Sequence, residues 1–330
     1  MTSVEEAING MKKQGYRFIG THAAVKICLW TKKSLLDEGV CYKEKFYGIK
    51  SHLCSQMSPW LGCDNKCIHC WRALELDFNK IVNKSKIKSP QEIIDGCIKA
   101  QRELLIGFKV DEKSKKKQLS KADMKKYLEA QEPMQFAISL SGEPMIYEQI
   151  GGLIEELRKR GKTSFLVTNG LYPEKLEELK KKKQLPTQLY ISVNTPNKEM
   201  YNKFHRSSKK DAWERLNKSL EIMSTLKNKT RTVFRMNLVK NLNMTNPEEY
   251  AEMIKKSNPL FIEVKGFMSV GFARQRLGYE RMPYHKDIVD FSKKVLKFLP
   301  EYKLLDEKIE SRVVLLGKNK KDMKIKKNQY

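Results

Sequence analysis

The chain has 330 residues, of which 40% are apolar, so it can bury the core of one large domain or two small ones. No apolar run approaches the ~20 residues of a membrane span, and residues 1–30 lack the apolar centre of a secretion signal. We therefore expect a cytoplasmic protein with no membrane partner. Lysine and arginine number 65 against 39 acidic residues, and the formal charge of +26 favours a polyanionic partner, most simply nucleic acid. A lysine-rich proteome is the other explanation of this charge.

Residues 1–60 form a charged, irregular stretch with one predicted strand at 24–30. Short apolar runs and amphipathic stretches then alternate, as is typical of buried strands and helices. The predicted strands cover 51–59, 134–140, 164–167, 188–193, 232–239 and 260–267, with an added strand at 312–316. The predicted helices cover 90–106, 147–160, 173–182, 198–204, 211–226, 247–257 and 285–298.

Strands that are separated by helices pair in parallel through right-handed crossovers. The six main strands are too few for a closed eight-stranded barrel, so we predict an α/β fold, a partial (βα)6 barrel with ligands at the carboxyl ends of its strands. The predicted domains are an N-terminal extension (1–57), the barrel (58–300) and a C-terminal extension with a basic tail (301–330).

The cysteines are strongly clustered. Six of the seven lie between Cys28 and Cys70, where even scatter would place about one. Disulfides are disfavoured in the cytosol, so metal ligation explains the clustering better. The remaining residue, Cys97, lies in a predicted helix and is interpreted as a buried structural thiol.

Cys63, Cys67 and Cys70 form a C-x3-C-x2-C motif, with His69 just before the last cysteine. A short loop with this spacing can bind three irons of a [4Fe-4S] cluster and leave the fourth iron for another ligand. The motif resembles that of the radical SAM superfamily, in which S-adenosylmethionine (SAM) chelates the open iron and yields a 5′-deoxyadenosyl radical. Zinc is the alternative, although it needs a fourth ligand, for which only His52 and His69 are near.

Cys28, Cys41 and Cys54 are separated by twelve residues in each interval. Thirteen helical steps rotate about 220° beyond whole turns, so the three cannot share a helix face and must converge from separate elements. Such a triad predicts a second [4Fe-4S] cluster, again with one open iron. Three unrelated small core residues are the alternative.

Nearly the whole chain is similar to the wyosine-forming radical SAM enzymes of the archaeal type, the tRNA 4-demethylwyosine synthases. The features that match in order and position are the C-x12-C-x12-C triad, the C-x3-C-x2-C-W loop, the Ser-Gly-Glu-Pro turn at 141–144 and the Arg-Met-Asn-Leu-Val strand at 235–239. The resemblance implies that the substrate is tRNA-Phe with N1-methylguanosine beside the anticodon, that pyruvate donates two carbons, and that SAM is the radical source.

The longer eukaryotic-type members carry a flavodoxin-like module, which this sequence lacks. The resemblance therefore implies an external electron donor of the flavodoxin or ferredoxin type, and we expect a monomer.

The resemblance also assigns the turn after strand 134–140 to SAM. Ser141, Gly142 and Glu143 resemble the segment that receives the SAM amino group, and glycine there allows a close backbone approach. An ordinary strand-to-helix turn is the alternative.

Two pairs of polar side chains are predicted at the barrel mouth. Ser192 and Asn194 occupy alternate positions of one predicted strand, and Arg235 and Asn237 repeat that geometry on the next. They can bind the ribose or a carboxylate, and an arginine fork can grip both carboxylate oxygens. Whether Arg235 binds SAM, binds pyruvate or forms a structural salt bridge stays open.

Lys43 lies two residues after Cys41, at the position of the lysine that forms a Schiff base with pyruvate in the family. Its amine would activate the ketone close to the second cluster. Lys45 and Lys50 compete for this role.

Basic segments that can contact RNA phosphate are spread along the chain. They are 115–117, 125–126, 180–183, the arginines at 274, 276 and 281, and the tail 318–327. Two other functions stay open from the residues alone. One is a radical SAM enzyme with one auxiliary cluster that acts on another RNA, a protein or a small molecule, and the other is a non-enzymatic, zinc-bearing nucleic-acid binder.

Overall fold

The computed structural model describes residues 4–74, 76–82, 86–109, 122–326 and 329. The chain divides into two compact units, and each is described by itself. The first comprises Met1–Gly62, Leu76–Leu166 and Lys324–Tyr330, and the second comprises Cys63–Glu75 and Val167–Met323. The domain boundaries predicted at 57/58 and 300/301 stay a prediction. They separate segments by their expected function, whereas the two units are defined by compactness, and the two divisions need not coincide.

The strands of the first unit lie in chain order across the sheet. They are β1 (Arg17–Ile19), β2 (Ala23–Lys26), β3 (Cys54–Ser58), β4 (Gln135–Ile138) and β5 (Thr163–Thr168), of which β5 continues into the second unit. β3, β4 and β5 pair in parallel, whereas β1 and β2 pair in antiparallel fashion with each other and β2 does so with β3. The N-terminal stretch therefore adds two antiparallel strands to the edge of a parallel sheet.

The N-terminal stretch is more regular than its sequence indicates. It contains the helices α1 (Val4–Lys13), α2 (Leu29–Leu35) and α3 (Tyr42–Tyr47). The strand predicted at 24–30 is too long, because β2 ends at Lys26 and Cys28 already occupies the N-cap position of α2. The strand predicted at 51–59 begins only at Cys54 in the structure, because Ser51–Leu53 forms a 3-10 turn.

The other helices of the first unit are α4 (Phe78–Ile81), α5 (Pro90–Leu105), α6 (Met124–Glu129) and α7 (Ile150–Lys159). Helix α5 begins at a capping box, in which Ser89 Oγ accepts from Glu92 N at 3.3 Å and the Glu92 carboxylate accepts from Ser89 N at 2.8 Å. Cys97 is fully buried in this helix, as predicted.

The second unit orders its strands β6 (Gln188–Ser192), β7 (Arg231–Leu238), β8 (Phe261–Gly266), β10 (Val313–Gly317) and β9 (Lys303–Lys308). β6, β7 and β8 are parallel, and β10 is antiparallel to β8 and to β9. The six main strands predicted from the sequence all form, as β3 to β8, and the added strand at 312–316 is confirmed as β10. β9 was not predicted because its sequence, Lys-Leu-Leu-Asp-Glu-Lys, is charged and Leu305 is the one residue in it that is buried.

The helices of the second unit are α8 (Pro173–Lys181), α9 (Lys198–His205), α10 (Ala212–Ser224), α11 (Pro247–Ser257), α12 (Ala273–Leu277) and α13 (His285–Leu296). β6, β7 and β8 are buried along almost their whole length, which is typical of parallel strands covered by helices. Within the described residues, each helix is too short or too polar to cross a membrane.

Candidate functional site

The first cysteine triad lies on a loop of the second unit that we call the cluster loop, residues 63–72. The loop runs beside the C-terminal end of α9. Lys66 N donates to the carbonyl of His205 at 2.9 Å, and Ile68 N donates to the carbonyl of Phe204 at 3.0 Å. The end of α9 therefore fixes the path of the cluster loop.

Two arginines hold the carbonyl groups of the cluster loop. Arg276 of α12 donates to the carbonyls of Ile68 at 3.2 Å and Arg72 at 3.3 Å, and also to that of Cys70. Arg72 in turn donates to the carbonyl of Asn65 at 2.7 Å. A tight loop cannot pair these carbonyls internally, so the two guanidinium groups supply the partners that a regular element would provide.

Each thiol of the cluster loop has a nitrogen close to its sulfur. The pairs are Arg72 Nε to Cys70 Sγ at 3.2 Å, His205 Nδ1 to Cys67 Sγ at 3.1 Å, Asn65 N to Cys63 Sγ at 3.4 Å and Asn169 Nδ2 to Cys63 Sγ at 3.7 Å. The pKa of Cys67 is raised well above its ordinary value, mainly because the thiol is buried. The charges of Cys70 and Cys63 also raise this pKa, whereas the charge of Arg72 lowers it.

This donor set fits an iron–sulfur cluster. The three cysteines of the loop form no disulfide and are half-buried, and N–H groups near their sulfurs stabilise thiolates that bind iron. Among the described residues, no three histidine, cysteine or acidic side chains gather closely enough to hold one metal ion. A cubane does not need such a group, because each thiolate binds a different iron.

Two histidines lie at the cluster loop: His69 is part of the loop and is half-buried, and His205 at the end of α9 is buried. His69 stacks on Phe204 with ring centroids 4.9 Å apart, and His205 stacks on Tyr201 at 4.4 Å. Burial lowers the pKa of His69 to about 4 and that of His205 to about 3, so both rings are neutral at physiological pH.

The structure partly answers the question about Arg235. Ser192 is the last residue of β6 and lies opposite Arg235 of β7 in the parallel register. The Nε atom of Arg235 is 3.9 Å from Oε2 of Glu263, whose side chain is fully buried. Arg235 therefore balances a buried carboxylate, which is the structural role left open by the sequence.

Asn194 does not lie on the same strand as Ser192, which corrects the predicted geometry. β6 ends at Ser192, and the Asn194 side chain instead accepts a hydrogen bond from Asn237 N at 3.0 Å. Asn243 Nδ2 donates to the carbonyls of Asn194 at 2.7 Å and Asn237 at 3.0 Å. The two predicted residues thus belong to one network that joins the ends of β6 and β7. Asn243 was missed because it follows β7 in a loop without a recognisable motif.

In the first unit, the turn after β4 packs tightly against backbone. Gly142 has φ +73°, and a Cβ atom there would lie 2.2 Å from the carbonyl oxygen of Trp60. Ser58 Oγ accepts a hydrogen bond from Ser141 N at 2.7 Å, and the Glu143 side chain accepts one from Met145 N at 3.0 Å. Only glycine fits this close approach without strain.

The second cysteine triad lies wholly in the first unit, on three separate elements. Cys28 and Cys41 are the N-cap residues of α2 and α3, and Cys54 begins β3. The pKa of Cys54 is raised to about 12, mainly because the thiol is buried. The charges of Cys28 and Cys41 also raise this pKa, whereas the charge of Lys43 lowers it. The three sulfurs and the Lys43 ammonium therefore lie close enough to interact electrostatically.

The structure separates the three competing lysines. Lys43 is 7% exposed, and its Nζ atom lies 4.9 Å from the centroid of the Phe165 ring. Lys45 is exposed, and the side chain of Lys50 is 58% exposed and lies 3.5 Å from Glu129. Lys43 is the one of the three that is buried beside the second triad.

A hydrogen-bond network that the sequence did not indicate holds the segment around Cys41. Glu44 Oε2 accepts from Ser51 N at 2.8 Å and from Ser51 Oγ at 2.5 Å. Ser51 Oγ in turn accepts from Cys41 N at 2.8 Å. The network links the start of α3 to the turn that precedes Cys54.

The basic segments differ in what they contact. Residues 115–117 lie outside the described residues. Lys180 and Lys182 lie 3.6 Å and 2.8 Å from acidic side chains of their own helix. Arg276 is engaged by the cluster loop, which corrects its assignment to phosphate, and Arg274 stacks on Tyr279 at 5.0 Å.

Comparison with known proteins agrees with this geometry. The chain matches the radical SAM superfamily model over residues 57–254 and the model for wyosine base formation over residues 256–318. The S-adenosyl-L-methionine-dependent tRNA 4-demethylwyosine synthase of Pyrococcus abyssi is 47% identical over 96% of this chain and 90% of that protein.

Two solved structures are similar along almost the entire chain. The structure of TYW1 with a lysine-pyruvate adduct bound is 32% identical, with a TM-score of 0.82 over 99% of both chains. The crystal structure of archaeal TYW1 is 31% identical, with a TM-score of 0.74 over 96% of both chains.

The partial α/β barrel and its three-cysteine loop define a radical SAM enzyme, a class whose cofactors are SAM and a [4Fe-4S] cluster. Within this class, the chain belongs to the family of S-adenosyl-L-methionine-dependent tRNA 4-demethylwyosine synthases.

The contacts of Arg276 give the first prediction. Arg276→Met removes the guanidinium from three carbonyls, and each hydrogen bond from a charged donor contributes about 1.5–3 kcal/mol. We expect the cluster loop to loosen and its iron to be lost several-fold faster to a chelator. Arg274→Met, on the same helix, is the control and should lose iron at the rate of the unsubstituted protein. Equal rates for all three proteins would contradict this role of Arg276.

The turn after β4 gives a second prediction. Gly142→Ala introduces both a strained positive φ and a clash with backbone, whereas Gly161→Ala, at φ +65° with nothing within 4 Å, introduces the strain alone. We expect Gly161→Ala, which adds strain alone, to lower the free energy of unfolding by about 1 kcal/mol. Gly142→Ala should lower it by more, up to about 3 kcal/mol, because the clash with backbone adds to the strain. Only Gly142→Ala should weaken SAM binding, by about tenfold or more. Urea unfolding and equilibrium dialysis measure the two effects, and equal SAM affinity in both variants would contradict the assignment.

Proposed function

We propose that the protein converts N1-methylguanosine beside the anticodon of tRNA-Phe to 4-demethylwyosine, with pyruvate as the two-carbon donor and SAM as the radical source. The observation that carries the proposal is the buried Lys43 beside the second cysteine triad. The named activity of the relatives supports the same substrate and product.

The second triad is proposed to hold a second [4Fe-4S] cluster. Its three cysteines form no disulfide and are half-buried, and they come from three elements that bring their sulfurs within electrostatic reach of one another. Three thiolates leave one iron of a cubane without a protein ligand. The carboxylate and ketone oxygens of pyruvate can chelate such an iron until the ketone reacts, after which the carboxylate is the remaining oxygen ligand.

Lys43 is proposed to activate pyruvate as a Schiff base. Its amine attacks the ketone carbon, a C=N bond forms, and the ketone oxygen leaves as water. The related TYW1 structure holds a lysine-pyruvate adduct, which supports a lysine in this role. Burial of Lys43 next to the Phe165 ring excludes water that would hydrolyse the imine.

The methyl group of N1-methylguanosine is too weak an acid for a side-chain base, so its hydrogen must be removed by a radical. SAM and the first cluster supply the 5′-deoxyadenosyl radical for that purpose when bound. The methylene carbon then bonds to the imine carbon of pyruvate, and the carboxylate leaves as a one-carbon unit that carries the unpaired electron. The exocyclic amino nitrogen of the base attacks the same carbon, closes the new ring and releases Lys43 as the free amine. An external flavodoxin- or ferredoxin-like protein is the proposed electron donor.

The target base lies in the anticodon loop and must be splayed out of its stack before it can react. The charge of +26 suits contacts with the surrounding phosphates. Arg274, Arg281 and the exposed Lys125 are the proposed contacts among the described residues. A cytoplasmic, monomeric enzyme completes the proposal.

Lys43→Arg tests the Schiff base without removing the positive charge beside Cys54. An arginine balances the thiolates but cannot form an imine, so we expect both clusters to be retained and turnover to fall by at least a hundredfold. The assay mixes reduced protein, SAM, pyruvate and tRNA that contains N1-methylguanosine, and detects the fluorescent tricyclic nucleoside. Lys45→Ala is the matched control and should keep full activity. Turnover by Lys43→Arg at the rate of the control would remove Lys43 from its role.

Iron content tests the second cluster. Oxygen-free protein should contain about eight irons and eight sulfides per chain, as two cubanes require. Replacing Cys41 by Ala should lower both to about four, while Cys97→Ala, at the buried thiol outside both triads, should leave them at about eight. About four irons in the unsubstituted protein, or zinc without sulfide, would contradict the second cluster.

A further inference from the structure

A buried histidine lies against one sulfur of the cluster loop, and the proposed reaction does not use it. His205, the last residue of α9, is 3% exposed and places Nδ1 3.1 Å from Cys67 Sγ. This separation is within the range of an N–H···S hydrogen bond. The contact involves a cluster ligand, yet His205 lies 138 residues further along the chain.

The position of the His205 ring is fixed from several sides. It stacks on Tyr201 at 4.4 Å with an interplanar angle of 27°, and it stands almost perpendicular to the ring of His69, at 88°. Its own carbonyl accepts from Lys66 N of the cluster loop at 2.9 Å. The stack restrains rotation of the ring, and the carbonyl contact holds the backbone of His205 against the cluster loop.

The second nitrogen of the ring determines where the proton must be. His205 Nε2 is buried and has no hydrogen-bond partner within the part of the chain that the structure describes. Once Cys67 binds iron it is a thiolate, which can only accept a hydrogen bond. The contact at 3.1 Å is then favourable only if Nδ1 carries a proton. A charged acceptor makes this bond stronger than one between neutral groups, which compensates for a buried Nε2 that accepts nothing.

We propose that His205 donates a hydrogen bond from Nδ1 to the Cys67 thiolate and thereby raises the reduction potential of the SAM-binding [4Fe-4S] cluster. Reduction adds one negative charge, which spreads over the iron and sulfur atoms. An N–H dipole directed at a ligand sulfur stabilises the reduced cluster more than the oxidised one, and hydrogen bonds to sulfur are among the groups that set cluster potentials. His205 tunes the cluster through its ligand and is not itself a catalytic residue.

The inference is independent of pyruvate, of Lys43 and of the second cluster. It concerns the electron that an outside donor must deliver before SAM can be cleaved. A higher potential increases the fraction of cluster that a given donor can reduce. His205 therefore affects how easily the enzyme is activated, whatever substrate follows.

The experiment is a redox titration of the full-length, oxygen-free protein, followed by electron paramagnetic resonance of the signal that changes when SAM is added. His205→Phe keeps a ring to stack on Tyr201 and removes the donor. We expect its midpoint to move to a more negative potential, so that the ratio of reduced to oxidised cluster at a fixed potential falls several-fold. A tenfold fall corresponds to about 59 mV for one electron. His205→Asn places an amide N–H close to the position of Nδ1 and should restore the midpoint.

Tyr201→Phe is the packing control, because it keeps the stacked ring and changes no group at the sulfur. Its midpoint should equal that of the unsubstituted protein. An unchanged midpoint in His205→Phe, or a midpoint in His205→Asn as low as in His205→Phe, overturns the proposal. If His205 had a purely structural role, its substitution would alter the iron content, but the midpoint potential would not fall in His205→Phe and recover in His205→Asn.

A second measurement decides the matter if His205→Phe does not assemble its cluster. In the unsubstituted, cluster-loaded protein with 15N-labelled histidine, the nuclear magnetic resonance signals of His205 should show the proton on Nδ1. A proton on Nε2 alone overturns the proposal. If the tRNA reaction fails but the midpoint falls in His205→Phe and recovers in His205→Asn, the result counts against the proposed function and not against the role of His205.

Discussion

Three sulfurs that must become thiolates repel one another, and the repulsion is strongest where water is excluded. Both cysteine triads meet this constraint in the same way, with a cation placed among the sulfurs. Arg72 opposes the rise in the pKa of Cys67, and Lys43 opposes the rise in the pKa of Cys54. The surrounding contacts, such as the carbonyl clamp of Arg276 and the Glu44–Ser51 network, keep these charges and sulfurs in place. In each triad a basic side chain therefore offsets part of the repulsion between the sulfurs before any metal binds.

Local sequence patterns predicted the parts of the fold that depend on local physics. Helix α11 forms at the residues predicted, 247–257, because a proline at its first turn and an apolar stripe both act within a few residues. β9 was missed because its pairing with β10 stabilises a charged sequence in which Leu305 is the one buried residue. The strand predicted at 51–59 is shorter in the structure, because the turn Ser51–Leu53 is held by the carboxylate of Glu44, which lies seven residues before Ser51 in another helix. Patterning reveals burial, whereas contacts between distant residues decide where each element begins and ends.

The same distinction applies to the candidate site. The cysteine spacing identified both triads, since thiols in such a pattern have few other uses. It did not identify Arg276 or His205, because an arginine or a histidine more than 130 residues away from its partner carries no local signal. Among the lysines, sequence left Lys43, Lys45 and Lys50 in competition, and burial distinguishes them. Arg235 was singled out for its fork, and the structure reveals a buried glutamate beside it.

The two cations differ in a way that suits the chemistry of each site. An arginine keeps its proton under all physiological conditions, so Arg72 can stabilise thiolates and bind carbonyls but cannot act as a nucleophile. A lysine can occupy an equivalent electrostatic position and also give up a proton, which exposes an amine that attacks carbonyl carbon. At the cluster loop a reactive amine would serve no purpose, because the loop needs a fixed fork that pairs a sulfur with a carbonyl. Beside the second triad the same electrostatic requirement is met by Lys43, so the proposed role of its amine in activating pyruvate is compatible with its effect on the sulfurs.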